Sequence, residues 1–194
     1  MRNKLILLAL SAALVVLSPY YLTAQEVPLN LQVKLILKIV SMDRNFDRFG
    51  DPIKIGVTDD DMMKELGAIK GKLTIKGKDF SVEKMASPGD VANYKVIYVG
   101  KNWADKYTAA SAKAAENQCL MFCQAEEGVM TGGGAVSFKV VEGKPKIVVN
   151  LENAKKQGTD FPAGFLKLPR WWEVFKTPHL IPGNIHLFFY KPGR

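Results

Sequence analysis

The chain has 194 residues, of which 47% are hydrophobic and 24% charged, and it carries a formal net charge of +8. This is enough for one domain with a sizeable core, and no internal repeat or low-complexity linker divides it. The basic residues are scattered and form no dense stripe with stacking aromatics, which argues against nucleic-acid binding; a solvated surface is the simpler account, with attraction to anionic lipid heads or an acidic partner as the alternative.

Residues 1–24 read as an export signal. Arg2 and Lys4 precede an apolar run from Leu5 to Leu17, followed by Ser18-Pro19 and a small residue, Ala24. The run is shorter than the ~20 residues a spanning helix needs. Cleavage near Ala24 and a periplasmic location are therefore expected, with a retained anchor as the alternative. Leu31, Val33, Leu35, Ile36, Leu37, Ile39 and Val40 then mark a helix buried around much of its circumference. After a polar turn from Met42 to Pro52, the continuous run Ile53–Val57 fits an interior parallel strand.

Thr58-Asp59-Asp60-Asp61 starts a helix through Ile69, with its acids at the positive end. In the Gly- and Lys-rich region that follows, Leu73-Thr74-Ile75 and Phe80-Ser81-Val82 read as short strands around Lys76-Gly77-Lys78-Asp79. Val91–Val99 ends in a second core strand, Trp103–Glu116 is an Ala-rich helix, and Cys119–Cys123 is a third core strand. Four residues along a strand span ~13 Å, whereas a disulfide needs Cα atoms within ~7 Å, so Cys119 and Cys123 are expected as buried free thiols.

Ala135–Val141, the turn Glu142-Gly143-Lys144 and a second run from Pro145 make a hairpin. Asn150 sits where a helix beginning at Leu151 would need its cap. Strands alternating with helices predict a single α/β domain: a mostly parallel sheet flanked by helices, with the C-terminal β-hairpin at one edge. The tail from Glu173, broken by Pro178, Pro182 and Pro192 but strongly apolar at Leu187–Tyr190, is left open between a docked strand and a disordered extension.

Few residues offer chemistry. Asp59-Asp60-Asp61 is a helix cap or, alternatively, a cation site. Glu126 and Glu127 end the third strand, where open α/β sheets bind ligands, but no nucleophile or orienting histidine accompanies them. Gly132, Gly133 and Gly134 mark either unusual backbone at a structural hairpin or an anion-binding nest. His179 and His186 fall in the tail without metal-ligand neighbours, and no phosphate-binding or dinucleotide fingerprint is present. No catalytic residue, cofactor or metal site is expected. Phe165, Leu168, Trp171 and Trp172 crowd apolar area into a short segment, as interface anchors do, with packing of both tryptophans under the tail as the alternative.

The order of glycines, strand, short turn, strand ending in Asn150, helix and leucine-rich Phe165-Leu166-Lys167-Leu168 resembles the signature of the YfiR-like family of small exported bacterial proteins. Val33–Val40, Ile53–Val57 and Lys95–Val99 fit its upstream elements, so the resemblance covers roughly residues 30–170. It implies a domain over 25–172 and an extension over 173–194 beyond it. It further implies a non-enzymatic periplasmic regulator that forms a homodimer, binds and represses an inner-membrane sensor or diguanylate cyclase, and so lowers cyclic-di-GMP and biofilm formation. Some relatives use disulfides as a redox element, from which the close spacing of Cys119 and Cys123 departs. The alternative is a periplasmic small-molecule or solute-binding module with Glu126, Glu127 and the glycine triplet in its pocket.

Overall fold

A computed structural model of the chain describes residues 26–163, Phe165 and the backbone of residues 186–190. Strands β1 (Ile53–Val57), β2 (Phe80–Lys84), β3 (Val96–Val99), β4 (Leu120–Cys123), β5 (Val136–Val141), β6 (Lys144–Asn150) and β7 (His186–Tyr190) form one sheet in the order β2-β1-β3-β4-β5-β6-β7. The first five are parallel, β6 runs antiparallel to β5, and β7 is parallel to β6. Every residue of β3 and β4 is buried, as strands covered on both faces must be.

Alternation along the strands divides the core into two layers. On one face, Ile55, Val96, Tyr98, Leu120 and Phe122 pack under α1 (Leu29–Ser41) and α2 (Asp60–Ile69). On the other, Ile97, Val99, Met121 and Cys123 pack under α3 (Tyr107–Glu116). The Ala110 and Ala114 faces of α3 let the helix lie close to the sheet. Inside the first layer, the buried Gln32 accepts a hydrogen bond from the Tyr98 hydroxyl at 3.0 Å and donates to the Val27 carbonyl at 2.7 Å. This pairing satisfies polar groups that burial would otherwise make costly.

The local rules read from the sequence set several boundaries. The Asp59 carboxylate accepts from the Met62 amide at 2.8 Å and caps α2; the Asn150 side chain accepts from the Asn153 amide at 3.0 Å and caps α5 (Leu151–Lys156). Glu142 and Gly143, both at positive φ, close the β5–β6 hairpin in the two-residue turn whose twist suits antiparallel strands.

Two expectations are corrected. Leu73-Thr74-Ile75 is no strand: Lys76 and Gly77 take positive φ, so the chain reverses at once and Ile75 and Lys78 exchange backbone hydrogen bonds at 2.9 and 3.1 Å. Only Ile75 reaches the core. The stretch Val91–Val99 does end in a core strand, and the chain before it makes a 3-10 turn over Pro88–Asn93, where the Asp90 carboxylate accepts from the Ala86 and Ser87 amides at 2.8 Å each. Finally, the hairpin is not at the edge, since β7 adds to the free side of β6 from Lys146↔His186 to Asn150↔Tyr190. The strand reading of the tail is the one realised at residues 186–190.

The loop ends are gathered by a buried ion pair. Asp43, 1% exposed, lies 3.0 Å from Arg48 Nη2, and its other oxygen accepts from the Asn45 and Asp160 amides at 2.9 and 3.0 Å. Arg48 also donates to Thr159 Oγ1 at 2.7 Å and to the Gln118 carbonyl. Replacing Arg48 by Met would strand the Asp43 charge in the interior, for which a loss of about 3–5 kcal/mol is expected. Urea unfolding of the variant beside the parent chain measures it, and a loss below about 1 kcal/mol, the range of a surface pair, would contradict this role.

Candidate functional site

In this strand order β1 is followed by β2 on one side and β3 on the other, which makes the carboxyl ends of β1 and β3 the switch point where open α/β sheets hold ligands. Here that crevice is occupied by the chain's own side chains. Thr58, fully buried after β1, accepts through Oγ1 from the Gly100 amide at 2.8 Å and donates to Asn102 Oδ1 at 3.1 Å. The Asn102 amide returns a bond to the Thr58 carbonyl at 2.8 Å. A Cβ on Gly100 would lie 2.7 Å from Asn102 Oδ1 and 3.0 Å from Asp59 Cβ, so the strand end is closed around this latch.

Open space lies one strand further on, between the start of α1 and the ends of β4 and β5. The cavity is about 240 Å³, with Glu26, Gln32, Lys101, Gln124, Glu126 and Lys139 in its wall. Lys101 pairs with Glu26, and Lys139 with Glu126 at 2.6 Å. Gln124 joins the segments: its Oε1 accepts from the Lys101 amide at 3.0 Å, and its Nε2 donates to Glu26 Oε2 at 3.3 Å. The hydrogen bond from Lys101 holds the Glu26 carboxyl below its usual range. The wall is therefore a set of matched charges around an amide.

Glu126 and Glu127 both line this cavity, as their place after β4 predicts. They do not act as a free carboxylate pair, because Glu126 is half-buried against Lys139 while Glu127 is exposed at the start of α4 (Glu127–Met130). Glu26, Lys101, Gln124 and Lys139 carry no motif and come from separate stretches of the chain, so spacing gave no signal for them. Asp59 and Asp60 are likewise engaged separately, as the α2 cap and in a pair with Lys84. Among the described residues no three His, Cys, Asp or Glu side chains are grouped to hold a metal ion.

Gly132, Gly133 and Gly134 lie outside the cavity wall and serve packing. A Cβ on Gly132 would sit 2.7 Å from Tyr107 Cβ, one on Gly133 2.1 Å from Ser111 Oγ, and one on Gly134 2.3 Å from Cys123 Sγ. The Gly132 and Gly134 amides already donate to the Glu127 and Gly128 carbonyls at 3.1 and 2.8 Å. The triplet thus does not present the row of free amides that a nest requires.

The partner-binding residues divide. Phe165 has no exposed surface; its ring stacks on Phe161 with centroids 4.4 Å apart, which makes it a core residue and corrects the expectation of a surface anchor. Leu168, Trp171 and Trp172 lie outside the described residues, as does the export signal. Among the described residues no helix is long and apolar enough to cross a membrane.

The family model described as YfiR/HmsC-like matches residues 42–170. Among solved structures, the chain resembles a conserved domain protein from Vibrio cholerae O1 biovar El Tor at 18% identity and a TM-score of 0.51, covering 72% of this chain and 58% of that one. It also resembles an ABC domain from Streptococcus pneumoniae, solved in complex with L-Trp, at 13% identity and a TM-score of 0.51, covering 70% and 59%. The chain spans less than two thirds of either structure, and at these identities the likeness is one of fold. No curated protein matches.

Two tests address this region. Cys119 and Cys123 are buried and free, and burial pushes the Cys119 thiol up to about 12 and raises that of Cys123 as well. Thiol reagent at mildly alkaline pH should therefore leave the folded chain unmodified and label both cysteines once urea is added, without reductant. Labelling that needs reductant would show a disulfide. Gly134→Ala forces a methyl against Cys123 and the Gly128 backbone, and a loss of about 1–3 kcal/mol in thermal unfolding is expected; unchanged stability would return the triplet to the ligand-binding reading.

Proposed function

The chain belongs to the YfiR/HmsC-like family, and from that premise we propose that it is a non-enzymatic periplasmic regulatory protein that binds and represses an inner-membrane signalling protein such as a diguanylate cyclase. The family match over residues 42–170 is the observation that carries this reading. The strand-end geometry is consistent with it: the switch-point crevice is latched by Thr58 and Asn102, and the neighbouring cavity has its carboxylates paired with lysines. Neither arrangement supplies a nucleophile or a free general base.

In this proposal residues 1–24 direct export and are removed near Ala24, residues 25–172 form the regulatory domain, and residues 173–194 extend it. The protein acts as a homodimer. With Phe165 in the core, the partner contact falls to Leu168, Trp171 and Trp172. Large aromatics at the centre of an interface carry a disproportionate share of its energy. The small-molecule alternative has less support, because Gly132, Gly133 and Gly134 stand apart from the cavity that Glu126 and Glu127 line.

Deleting the gene should raise cellular cyclic-di-GMP, and restoring the parent chain should lower it again. Trp172→Ala, exported to the same level, should restore it poorly, since loss of a central anchor costs at least about 2 kcal/mol, or roughly thirtyfold in affinity. Unchanged cyclic-di-GMP on deletion would remove the cyclase as partner. A mature protein that keeps Met1 in the cytoplasm would remove the periplasmic role altogether.

A further inference from the structure

The loop from α2 to β2 reads Lys70-Gly71-Lys72-Leu73-Thr74-Ile75-Lys76-Gly77-Lys78, and no acidic residue occurs between Glu65 and Asp79. Because β1 and β2 are parallel, this loop lies at the amino end of the sheet, away from the cavity described above. It has a defined shape. Ile75, 1% exposed, anchors it in the core, and the Ile75–Lys78 turn is closed by two backbone hydrogen bonds. Lys76 and Lys78 both hold their ammonium groups 4.9 Å from the centre of the Phe46 ring. Lys78 is further occupied by Asp47 at 3.8 Å, whereas Lys70 and Lys72 are exposed and form no ion pair among the described residues. Between them and the turn, Leu73 is 45% exposed, the largest value for a bulky apolar side chain among the described residues.

An anchored loop that offers three cations around one exposed leucine has the two components that peripheral membrane contact uses: attraction to anionic headgroups and a small apolar insertion. We propose that this loop docks the protein on the surface of an anionic phospholipid bilayer, with Lys70, Lys72 and Lys76 at the headgroups and Leu73 pointing into the interface. The three lysines lie on one short loop, so each can reach the same headgroup layer, where a cation contributes on the order of 1 kcal/mol, about fivefold in affinity. An acidic protein would satisfy the lysines, but it gives no use to a leucine standing alone among them. The inference is independent of which membrane protein is the regulatory partner.

The test is co-sedimentation with protein-free vesicles, using the protein as purified from the expressing cell. Vesicles containing phosphatidylglycerol should bind it well above neutral phosphatidylcholine vesicles, and added salt should abolish the difference. Lys70, Lys72 and Lys76 changed together to Gln should weaken binding on the order of a hundredfold, about fivefold for each lysine. Leu73→Ser should weaken it further by several-fold. Lys113, Lys155 and Lys156 changed together to Gln removes the same charge elsewhere and should leave most of the binding intact. Equal binding to neutral vesicles, insensitivity to salt, or an equal loss in both triple variants would overturn the proposal. So would binding to soluble polyglutamate but not to vesicles. Should the triple variant fail to fold, K70Q, K72Q and L73S made singly at exposed side chains carry the same comparison against K155Q, and losses no larger than that of K155Q would overturn the proposal.

Discussion

The carboxylate of Asp43 is the constraint on which the arrangement of this domain rests. It sits just past the end of α1, fully enclosed, and its two oxygens serve opposite parts of the chain. One oxygen binds Arg48, which reaches on to Gln118 before β4 and to Thr159 after α5; the other accepts amides from Asn45 and Asp160. A charge in this position is tolerable only while all of these bonds are made, because the desolvation penalty is several kcal/mol and a domain's whole stability is about 5–15. Every member of the set is thereby fixed relative to the others. The orientation of α1 over the sheet follows, since its carboxyl end is set here and its first turn is tied to β3 through Gln32 and Tyr98.

A second junction explains why glycines and asparagines recur together in this chain. Strands β4 and β5 pair at only two positions, Phe122↔Val136 and Cys123↔Ser137. Below them the strands part, and the buried Gln157 fills the gap by accepting from the Met121 amide at 2.9 Å and donating to the Gly133 carbonyl at 3.1 Å. Asn153 donates to the Gly134 carbonyl at 3.1 Å, while Asn150 caps the helix that carries Asn153 and ends at Gln157. The glycines admit α4 and its following turn onto Cys123 and Tyr107 without side chains in between. The glycine loop and the capped helix are thus one packed unit, in which each part is required by the other's geometry.

These two junctions leave the two ends of the sheet with different characters. At the carboxyl end, the crevice between β1 and β3 is latched, and in the cavity beside it Glu26 and Glu126 are paired with Lys101 and Lys139. At the amino end, the loop before β2 keeps lysines unpaired beside an exposed leucine. The switch point between β1 and β3 is thus latched by Thr58 and Asn102, while the opposite end of the sheet presents exposed cations beside a leucine.

Much of the fold was legible because it follows from local chemistry. The continuous apolar run Leu120–Cys123 required a strand buried on both faces, Ile53–Val57 gave an interior strand exposed only at Lys54, Asp59 and Asn150 announced helix caps, and the spacing of Cys119 and Cys123 ruled out a bridge once the segment was extended. The sequence also carried the family signature, since its glycines and Asn150 are demanded by backbone geometry at fixed positions. Where partners come from distant segments, only the tertiary structure decided. It placed Phe165 in the core against Phe161, joined Glu126 to Lys139, and engaged the Gly132 and Gly134 amides with the backbone. It also set β7 beside β6 and turned Leu73–Ile75 into an exposed loop anchored by one isoleucine. The physical reason is the same in each case: a periodicity or a cap is written within a few residues, whereas burial and charge pairing depend on which surfaces the completed sheet brings together.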